Sequence, residues 1–289
     1  MSVVVGVHGI AQQYRGGYQL ATVWLDAVRD GLVAGGHSQR AGELAAGDLR
    51  VAFFGDLFRP TGAMAGAEPP FTPGDVRPGP ERELLTALYQ RAVEVQPELG
   101  PPAGAMGPGL VAVQVMVERL LRSRTFAGVA QHALIGNVKQ AVRFLAEPMV
   151  KAKVLERVSA MVGPDTRVLV GHSLGSVVAY EYLCRTAAPV QLLLTLGSPL
   201  GVPNLIFDRL TPAPSNGTGT WPAGVARWVN IVDVNDVVPL RKRLADLFPP
   251  PDGIARISDR IVDNGDAPHA IERYLNAAET GTAMGDVLA

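Results

Sequence analysis

The sequence predicts an α/β fold, in which a mostly parallel β-sheet is covered by helices on both faces. Short, continuously apolar runs rich in valine and leucine recur along the chain and alternate with segments of helical periodicity. Strands that are apolar on both faces are typical of a buried parallel sheet, and their alternation with helices is typical of α/β domains. A chain of 289 residues, 47% of them hydrophobic, is long enough to bury such a core.

The individual elements follow in chain order from these patterns. Apolar runs predict strands at 3–7, 49–54, 167–170, 192–196 and 227–234, with a weaker candidate at 257–262. Helical periodicity predicts helices at 18–33, 139–162, 174–186 and 269–279. A loop rich in Pro, Gly, Ser and Thr at 211–224 separates the fourth strand from the fifth.

One segment, 56–138, interrupts the alternation because it contains no strand pattern. It holds two helical runs and two Pro/Gly-rich stretches, at 81–95, 110–124, 59–80 and 97–109. An insertion of this length in a compact domain is usually functional or disordered. The apolar faces of its helices favour docking over disorder, so we expect a helical cap over the strand ends; a mobile surface excursion is the alternative. The predicted organisation is a core of 1–55 and 139–289 with a cap of 56–138.

A serine lies between two glycines where the third strand meets the next helix, in Gly171-His172-Ser173-Leu174-Gly175. A G-x-S-x-G match is weak by itself, but a strand before it and a helix after it supply the required context. At a sharp strand-to-helix turn the glycines leave room for the chain, and the serine Oγ is lifted clear of the sheet. This predicts Ser173 as a nucleophile and the Leu174 N–H as an oxyanion donor. A plain Gly/Ser turn is the alternative.

In this context the chain resembles the α/β-hydrolase superfamily, and within it the lipase/esterase-type serine hydrolases. The resemblance covers residues 2–56 and 139–289 and does not extend to the insertion, in which we recognise no motif. It implies a catalytic triad in the chain order serine, acid, histidine. Of the five histidines only His269 follows Ser173, so His269 is the predicted base.

The triad acid is expected between Ser173 and His269, at the end of a strand. Lipase-like hydrolases commonly carry this acid just before a short apolar-proline step, which Asp236-Val237-Val238-Pro239 matches. The resemblance therefore favours Asp236, with Asp233 as the main alternative and two aspartates close to His269 behind it, Asp263 and Asp266. The acid would orient the imidazole and stabilise its cation.

The resemblance extends to the loop after the first strand, His8-Gly9-Ile10, which is similar to the His-Gly-X loop of many lipases. Carried over, the Ile10 N–H is the second oxyanion donor, and Gly9 permits close approach of the backbone to substrate. Three residues are expected to line the substrate site: His8, Gly9 and His172. Arg15 is a candidate contact for an anion, and Ser198 is expected to be a turn residue.

Several classes of protein are disfavoured by composition. A formal net charge of −1 argues against a nucleic-acid binder, and a single cysteine, Cys184, cannot form an internal disulfide. The absence of CxxC, HExxH, GxGxxG and P-loop motifs predicts no metal and no cofactor. The apolar run at 109–117 is shorter than the roughly 20 residues that a membrane span needs. The N-terminus lacks a basic region, so a cytoplasmic protein without an integral membrane segment is expected.

The leading functional prediction is hydrolysis of a small-molecule carboxylic ester, with an apolar acyl group suggested by the insertion. A thioesterase, an acyltransferase or an amide hydrolase with the same triad stays open, because fold and triad do not determine the substrate. A binding module without activity on the same scaffold is the other class. No oligomeric state is predicted.

Overall fold

The computed structural model describes residues 3–59, 69–100, 109–250, 253 and 257–288. Much of the two Pro/Gly-rich stretches, at 60–68 and 101–108, lies outside these residues. The strands are β1 Val4–Val7, β2 Leu49–Ala52, β3 Val168–His172, β4 Val190–Leu196, β5 Val225–Asp233 and β6 Ser258–Val262. The α-helices are α1 Gly17–Ala34, α2 Ser38–Glu43, α3 Pro80–Val95, α4 Leu110–Leu121, α5 Gln131–Ala146, α6 Pro148–Ser159, α7 Leu174–Thr186, α8 Ile271–Leu275 and α9 Ala278–Gly285.

The six strands form one sheet in the order β2-β1-β3-β4-β5-β6, and every neighbouring pair is parallel. The chain passes from β1 to β2 on one side and then returns to place β3 on the other side of β1. This reversal makes the gap between β1 and β3 the topological switch point of the sheet. The predicted α/β class with a mostly parallel sheet is confirmed.

Successive residues of β1 and β3 bury their side chains in two different apolar layers, as the period of two requires. Val4 and Val168 belong to a layer covered by α1, α2, α8 and α9. Val5 and Leu169 belong to the opposite layer, which is covered by the helices α3 to α7. Helices therefore cover both faces of the sheet, as predicted.

The helices of the 56–138 segment are part of the second layer. Leu85 on α3 and Val117 on α4 are fully buried in the same apolar cluster as Val5 and Leu169 of the sheet. A buried ion pair also joins α3 to α5, because Lys139 Nζ lies 2.7 Å from Glu81 Oε2. The described part of the segment is thus docked on the domain. The predicted boundary at 138/139 falls inside α5.

Two long helices predicted from periodicity are wrong, because each is two shorter helices. The predicted helix at 139–162 divides at Pro148, which is the first residue of α6. Glu147 before it is extended, at φ −103° and ψ 102°, since the proline ring disfavours a helical preceding residue. The predicted helix at 269–279 divides into α8 and α9, so His269 lies in the turn before α8. No helix within the described ranges is long and apolar enough to cross a membrane.

Candidate active site

Most of the predicted site residues lie at the carboxyl ends of β1 and β3, whereas Asp236 follows β5 and His269 follows β6. His8, Gly9 and Ile10 leave β1, and His172 and Ser173 end β3 next to it. In open parallel sheets, ligands bind in the crevice outside the carboxyl ends of the strands at the switch point. The position of this cluster is therefore the one that the topology alone would assign to a ligand site.

Ser173 connects β3 directly to α7 and has an unusual backbone conformation. Its φ of 53° and ψ of −131° lie in a region that residues with a side chain rarely adopt. Such conformations cost on the order of 1–3 kcal/mol and cluster at functional sites. The Ser173 N–H donates a 3.0 Å hydrogen bond to the Leu196 carbonyl at the end of β4.

The two glycines of the motif are explained by close backbone contacts. A Cβ on Gly171 would lie 2.5 Å from Ser176 Cα in the first turn of α7. A Cβ on Gly175 would overlap the carbonyl oxygen of Val7, so α7 could not pack against the end of β1. Glycine at both positions is what allows the turn to be this sharp.

His269 and Asp236 form a direct hydrogen bond. His269 Nδ1–H donates to Asp236 Oδ2 over 2.6 Å, and the Asp236 side chain is fully buried. The second carboxylate oxygen, Oδ1, accepts from the Val238 N–H at 2.9 Å. A buried charge is tolerated only when it is hydrogen-bonded in this way, and bonds to a charged group are the stronger ones.

The histidine–aspartate pair adjoins the serine turn through Gly197. This residue follows Leu196, the acceptor of the Ser173 N–H, and has a φ of +54°. A Cβ on Gly197 would lie 3.0 Å from Asp236 Oδ2 and 3.1 Å from His269 Nδ1. Within the described residues no hydrogen bond joins Ser173 Oγ to His269 Nε2, and such contacts are often long in unliganded enzymes.

Asp233, the alternative acid, has a different environment. Its Oδ1 accepts from the Asn235 N–H at 2.6 Å, and its Oδ2 accepts from the Asn264 N–H. Burial raises the pKa of Asp233 above its usual value, and the neighbouring Asp236 carboxylate adds to this. Both oxygens therefore brace the loops that follow β5 and β6, and the hydrogen bond to His269 belongs to Asp236.

Tyr274 is a further member of the site that the sequence analysis missed. Its Oη–H donates to Asp236 Oδ2 over 2.8 Å, and its oxygen accepts from the Asp233 N–H at 2.9 Å. No motif marks this tyrosine in the sequence. Its only local signal is its position on the short helix that follows His269.

The two predicted oxyanion donors are backbone amides beside the serine. Leu174 is the first residue of α7, where N–H groups have no acceptor within the helix and the helix dipole is positive. Ile10 lies in the loop after β1, and its N–H has no acceptor among the described residues. Gly9 brings this loop against the serine, since a Cβ there would lie 2.8 Å from Ser173 Cβ.

His8 is buried and has a defined tautomer. Its Nε2 accepts from the Phe54 N–H at 3.1 Å, so Nδ1 carries the proton and donates to the Gly9 carbonyl at 2.6 Å. Burial lowers the pKa of His8 from 6.5 to about 4, so the ring is neutral at pH 7. These bonds fix the loop that carries Gly9 and Ile10.

His172 contacts the backbone of the predicted base. Its Nε2–H donates to the His269 carbonyl over 3.0 Å, and the two ring centroids lie 4.7 Å apart. Burial, with a contribution from His269, lowers the pKa of His172 well below its usual value. A neutral His172 therefore holds the turn that presents His269.

A cavity of about 410 Å³ opens onto these groups. Ser173, His269 and the three predicted lining residues, His8, Gly9 and His172, all border it. Most of its wall is apolar and includes side chains from the 56–138 segment and α5: Leu84, Leu88, Phe126, Leu134, Val138 and Ala141. Arg15, the candidate anion contact, also lies on its border.

Two other residues singled out in the sequence, Ser198 and Cys184, lie in surroundings typical of structural residues. Ser198 Oγ accepts from Ser176 Oγ at 2.7 Å and from the Leu200 N–H at 3.2 Å, which makes it part of the turn after β4. Cys184 is half-buried on α7, and burial raises the pKa of its thiol to about 11. Among the described residues, no group of three or more His, Cys, Asp or Glu side chains could hold a metal ion.

Comparisons with protein-family models, with curated proteins and with solved structures found no match to this chain. The function is therefore argued from the geometry of the site.

Proposed function

We propose that the protein is a serine hydrolase that cleaves carboxylic esters with apolar acyl groups, similar to the lipase/esterase-type α/β-hydrolases. The observation that best supports this proposal is the 2.6 Å hydrogen bond from His269 Nδ1 to the buried Asp236. This pair lies beside a serine at a strained strand-to-helix turn. Because Nδ1 is engaged as a donor, Nε2 is the ring nitrogen that can take a proton. The cavity gives a substrate access to both Ser173 and His269.

In the first half-reaction, Ser173 Oγ attacks the ester carbonyl carbon while its proton passes to His269 Nε2. The Asp236 carboxylate stabilises the imidazolium that results, and the N–H groups of Ile10 and Leu174 hold the negatively charged oxygen. The C–O bond of the ester then breaks. The leaving alcohol takes the proton from His269, and the acyl group remains on Ser173.

In the second half-reaction, a water molecule attacks the acyl carbon as His269 Nε2 removes its proton. The tetrahedral intermediate collapses, the carboxylic acid departs, and the proton returns to Ser173. Every proton transfer uses residues of this chain, so the reaction as proposed requires no cofactor.

The cavity wall supports the assignment of an apolar acyl group. Its apolar side chains come from both the sheet domain and the docked helices, and an acyl chain placed there would be removed from water. Burial of each methylene is worth about 0.8 kcal/mol, which favours longer chains until the cavity is full.

A fluorophosphonate probe tests the proposal, because it phosphonylates a serine only where that serine is activated. The wild-type protein should be labelled at Ser173, and Ser173→Ala should lose both labelling and ester turnover while keeping its melting temperature. Ser198→Ala is the matched control, since its hydroxyl belongs to a neighbouring turn, and should still be labelled. Labelling at Ser176 or Ser198 would contradict the assignment, and no labelling would leave a binding module.

A substrate panel separates the remaining enzyme classes. We expect p-nitrophenyl esters to be turned over faster than acyl-thioesters and aminoacyl anilides of the same chain length. If the thioester or the anilide is preferred, Ser173 is still the nucleophile but the enzyme belongs to a different substrate class.

A further inference from the structure

Tyr274 interacts with the candidate acid at the same atom that His269 uses. Asp236 Oδ2 accepts from His269 Nδ1–H at 2.6 Å and from Tyr274 Oη–H at 2.8 Å. The Tyr274 oxygen in turn accepts from the Asp233 N–H at 2.9 Å, which fixes the direction of its own proton. The tyrosine is fully buried and does not border the cavity.

The phenol is held in its neutral form. Burial, with the adjacent Asp236 carboxylate, raises the pKa of Tyr274 well above its usual value, so the hydroxyl keeps its proton. A neutral phenol next to a carboxylate can act only as a donor to it. The Tyr274 hydroxyl can therefore keep donating its proton to the Asp236 carboxylate at neutral pH.

We propose that Tyr274 is a positioning residue that holds Asp236 against His269 and limits how strongly the carboxylate retains the imidazolium proton. This inference rests on the proposed function. The hydroxyl fixes the orientation of the carboxylate, and it also takes up part of the hydrogen-bonding capacity of Oδ2. Without it, Oδ2 serves His269 alone and attracts the ring proton more strongly.

Other ionisable groups face the same cluster and must be held constant in a test. Asp233 donates its N–H to Tyr274, and its carboxylate lies close enough to raise the pKa of the phenol. The His172 ring lies 4.7 Å from that of His269 and 6.0 Å from that of Tyr274. Lys242 interacts electrostatically with Asp233 and Asp236.

Tyr274→Phe removes the hydroxyl and leaves these neighbours in place. We expect kcat for the preferred ester to fall about three- to tenfold, with KM unchanged because Tyr274 does not border the cavity. The acidic limb of the pH–rate profile should move to higher pH by about half to one pH unit.

Tyr180→Phe is the matched control. Tyr180 is also fully buried, and its Oη, like that of Tyr274, accepts from one backbone N–H; it donates to a neutral backbone carbonyl instead of a carboxylate, and both of these partners belong to Thr220. It should lose stability as Tyr274→Phe does, with no shift of the acidic limb. A shift of equal size in both variants, or none in Tyr274→Phe, would overturn the proposal.

Replacement of Tyr274 by 3-fluorotyrosine provides a variant with nearly unchanged shape. The fluorinated phenol is the stronger donor, so the acidic limb should move to lower pH, opposite to Tyr274→Phe. A shift in the same direction for both would also overturn the proposal.

The role of Tyr274 and the proposed hydrolase function can be tested independently of each other. If fluorophosphonate labels wild-type Ser173 and Tyr274→Phe behaves as wild type, the hydrolase stands and the role of Tyr274 is wrong. If no labelling occurs, the protonation of the His269 ring is followed by NMR without any substrate. The ring should then still gain its proton at a higher pH in Tyr274→Phe, and an unchanged midpoint would refute the inference.

Discussion

Two aspartates three positions apart, Asp233 and Asp236, illustrate how side-chain partners assign a role at the scale of single residues. Asp236 accepts from the His269 ring, whereas both oxygens of Asp233 accept from backbone N–H groups of following loops. Both are fully buried, so burial does not distinguish them. The identity of the donor does.

Asp236→Asn and Asp233→Asn should therefore have different effects. Asp236→Asn should lower kcat by up to about 10⁴-fold with a small change in melting temperature, because the imidazolium loses its carboxylate while the neutral ring can switch tautomer and accept from the new amide. Asp233→Asn places an amide NH₂ against a backbone N–H, so it should cost about 1–3 kcal/mol of stability with a much smaller loss of rate. Rate and thermal melting should be measured together on both variants. If Asp233→Asn is the inactive protein, the acid has been assigned wrongly.

The sequence predicts a candidate site residue only where a local motif or the order of residues along the chain limits the choice. Ser173 was found from its strand-glycine-serine-glycine-helix context, and His269 was the only histidine after it. Tyr274 could not be found in this way. Its bond to Asp236 joins residues 38 positions apart, and no spacing rule applies across a loop, a strand and a turn.

At the scale of elements, the strands were more predictable than the helices. The interior strands β3 and β4 are buried and apolar at most positions, so their sequences are distinct, whereas the mostly polar edge strand Ser258–Val262 was only the weakest candidate. Helical periodicity does not itself indicate where a helix ends. The break at Pro148 was readable in principle, since a proline sits at a first helical position. The division between α8 and α9 has no such marker.

The docked helix α3 offers a test of how the cavity selects its substrate. Leu88 borders the cavity, whereas Leu85, on the same helix, is fully buried elsewhere in the apolar cluster. Leu88→Ala removes three side-chain carbons from the wall, so the preferred acyl chain should lengthen by roughly two or three carbon atoms. Rates on a series of p-nitrophenyl esters from acetate to palmitate measure this shift.

Leu85→Ala is the control for that experiment. It should cost about 2–5 kcal/mol of stability, as buried leucine truncations do, without changing the order of preference among the esters. An unchanged preference in Leu88→Ala would mean that the α3 face of the cavity does not contact the acyl group. An equal shift in both variants would mean that loosening of the apolar cluster, and not the cavity wall, changes the preference.

At the scale of the whole molecule, topology and site agree. The order β2-β1-β3-β4-β5-β6 places the switch point between β1 and β3, and the serine turn and the His8-Gly9-Ile10 loop leave the sheet there. The sequence predicts both strands but not their adjacency, because strand order depends on long-range pairing. In the structure Val4 pairs with Val168 in parallel register, which brings the two strands side by side.

Burial of neutral histidines within this core makes the stability of the whole domain depend on pH. In the folded protein burial lowers the pKa of His8 from 6.5 to about 4, and it lowers the pKa of His172 in the same direction. As the pH falls below about 6.5, His8 and His172 bind protons in the unfolded chain but stay neutral in the folded protein. Their contribution to stability is thus complete above pH 6.5 and is lost as the pH falls toward 4. Asp233, whose pKa burial raises, acts in the opposite direction.

For His8, the difference between 6.5 and about 4 corresponds to a loss on the order of 3 kcal/mol between pH 7 and pH 4. His8→Gln keeps an acceptor for the Phe54 N–H but cannot be protonated. Its melting temperature should therefore fall less than that of the wild type over this range, with a difference of roughly 5 °C. His37→Gln, at a partly buried position beside Gly285 of α9, serves as the control and should follow the wild type. If the melting temperatures of wild type and His8→Gln fall by the same amount between pH 7 and about pH 4, protonation of His8 is not a source of the pH dependence.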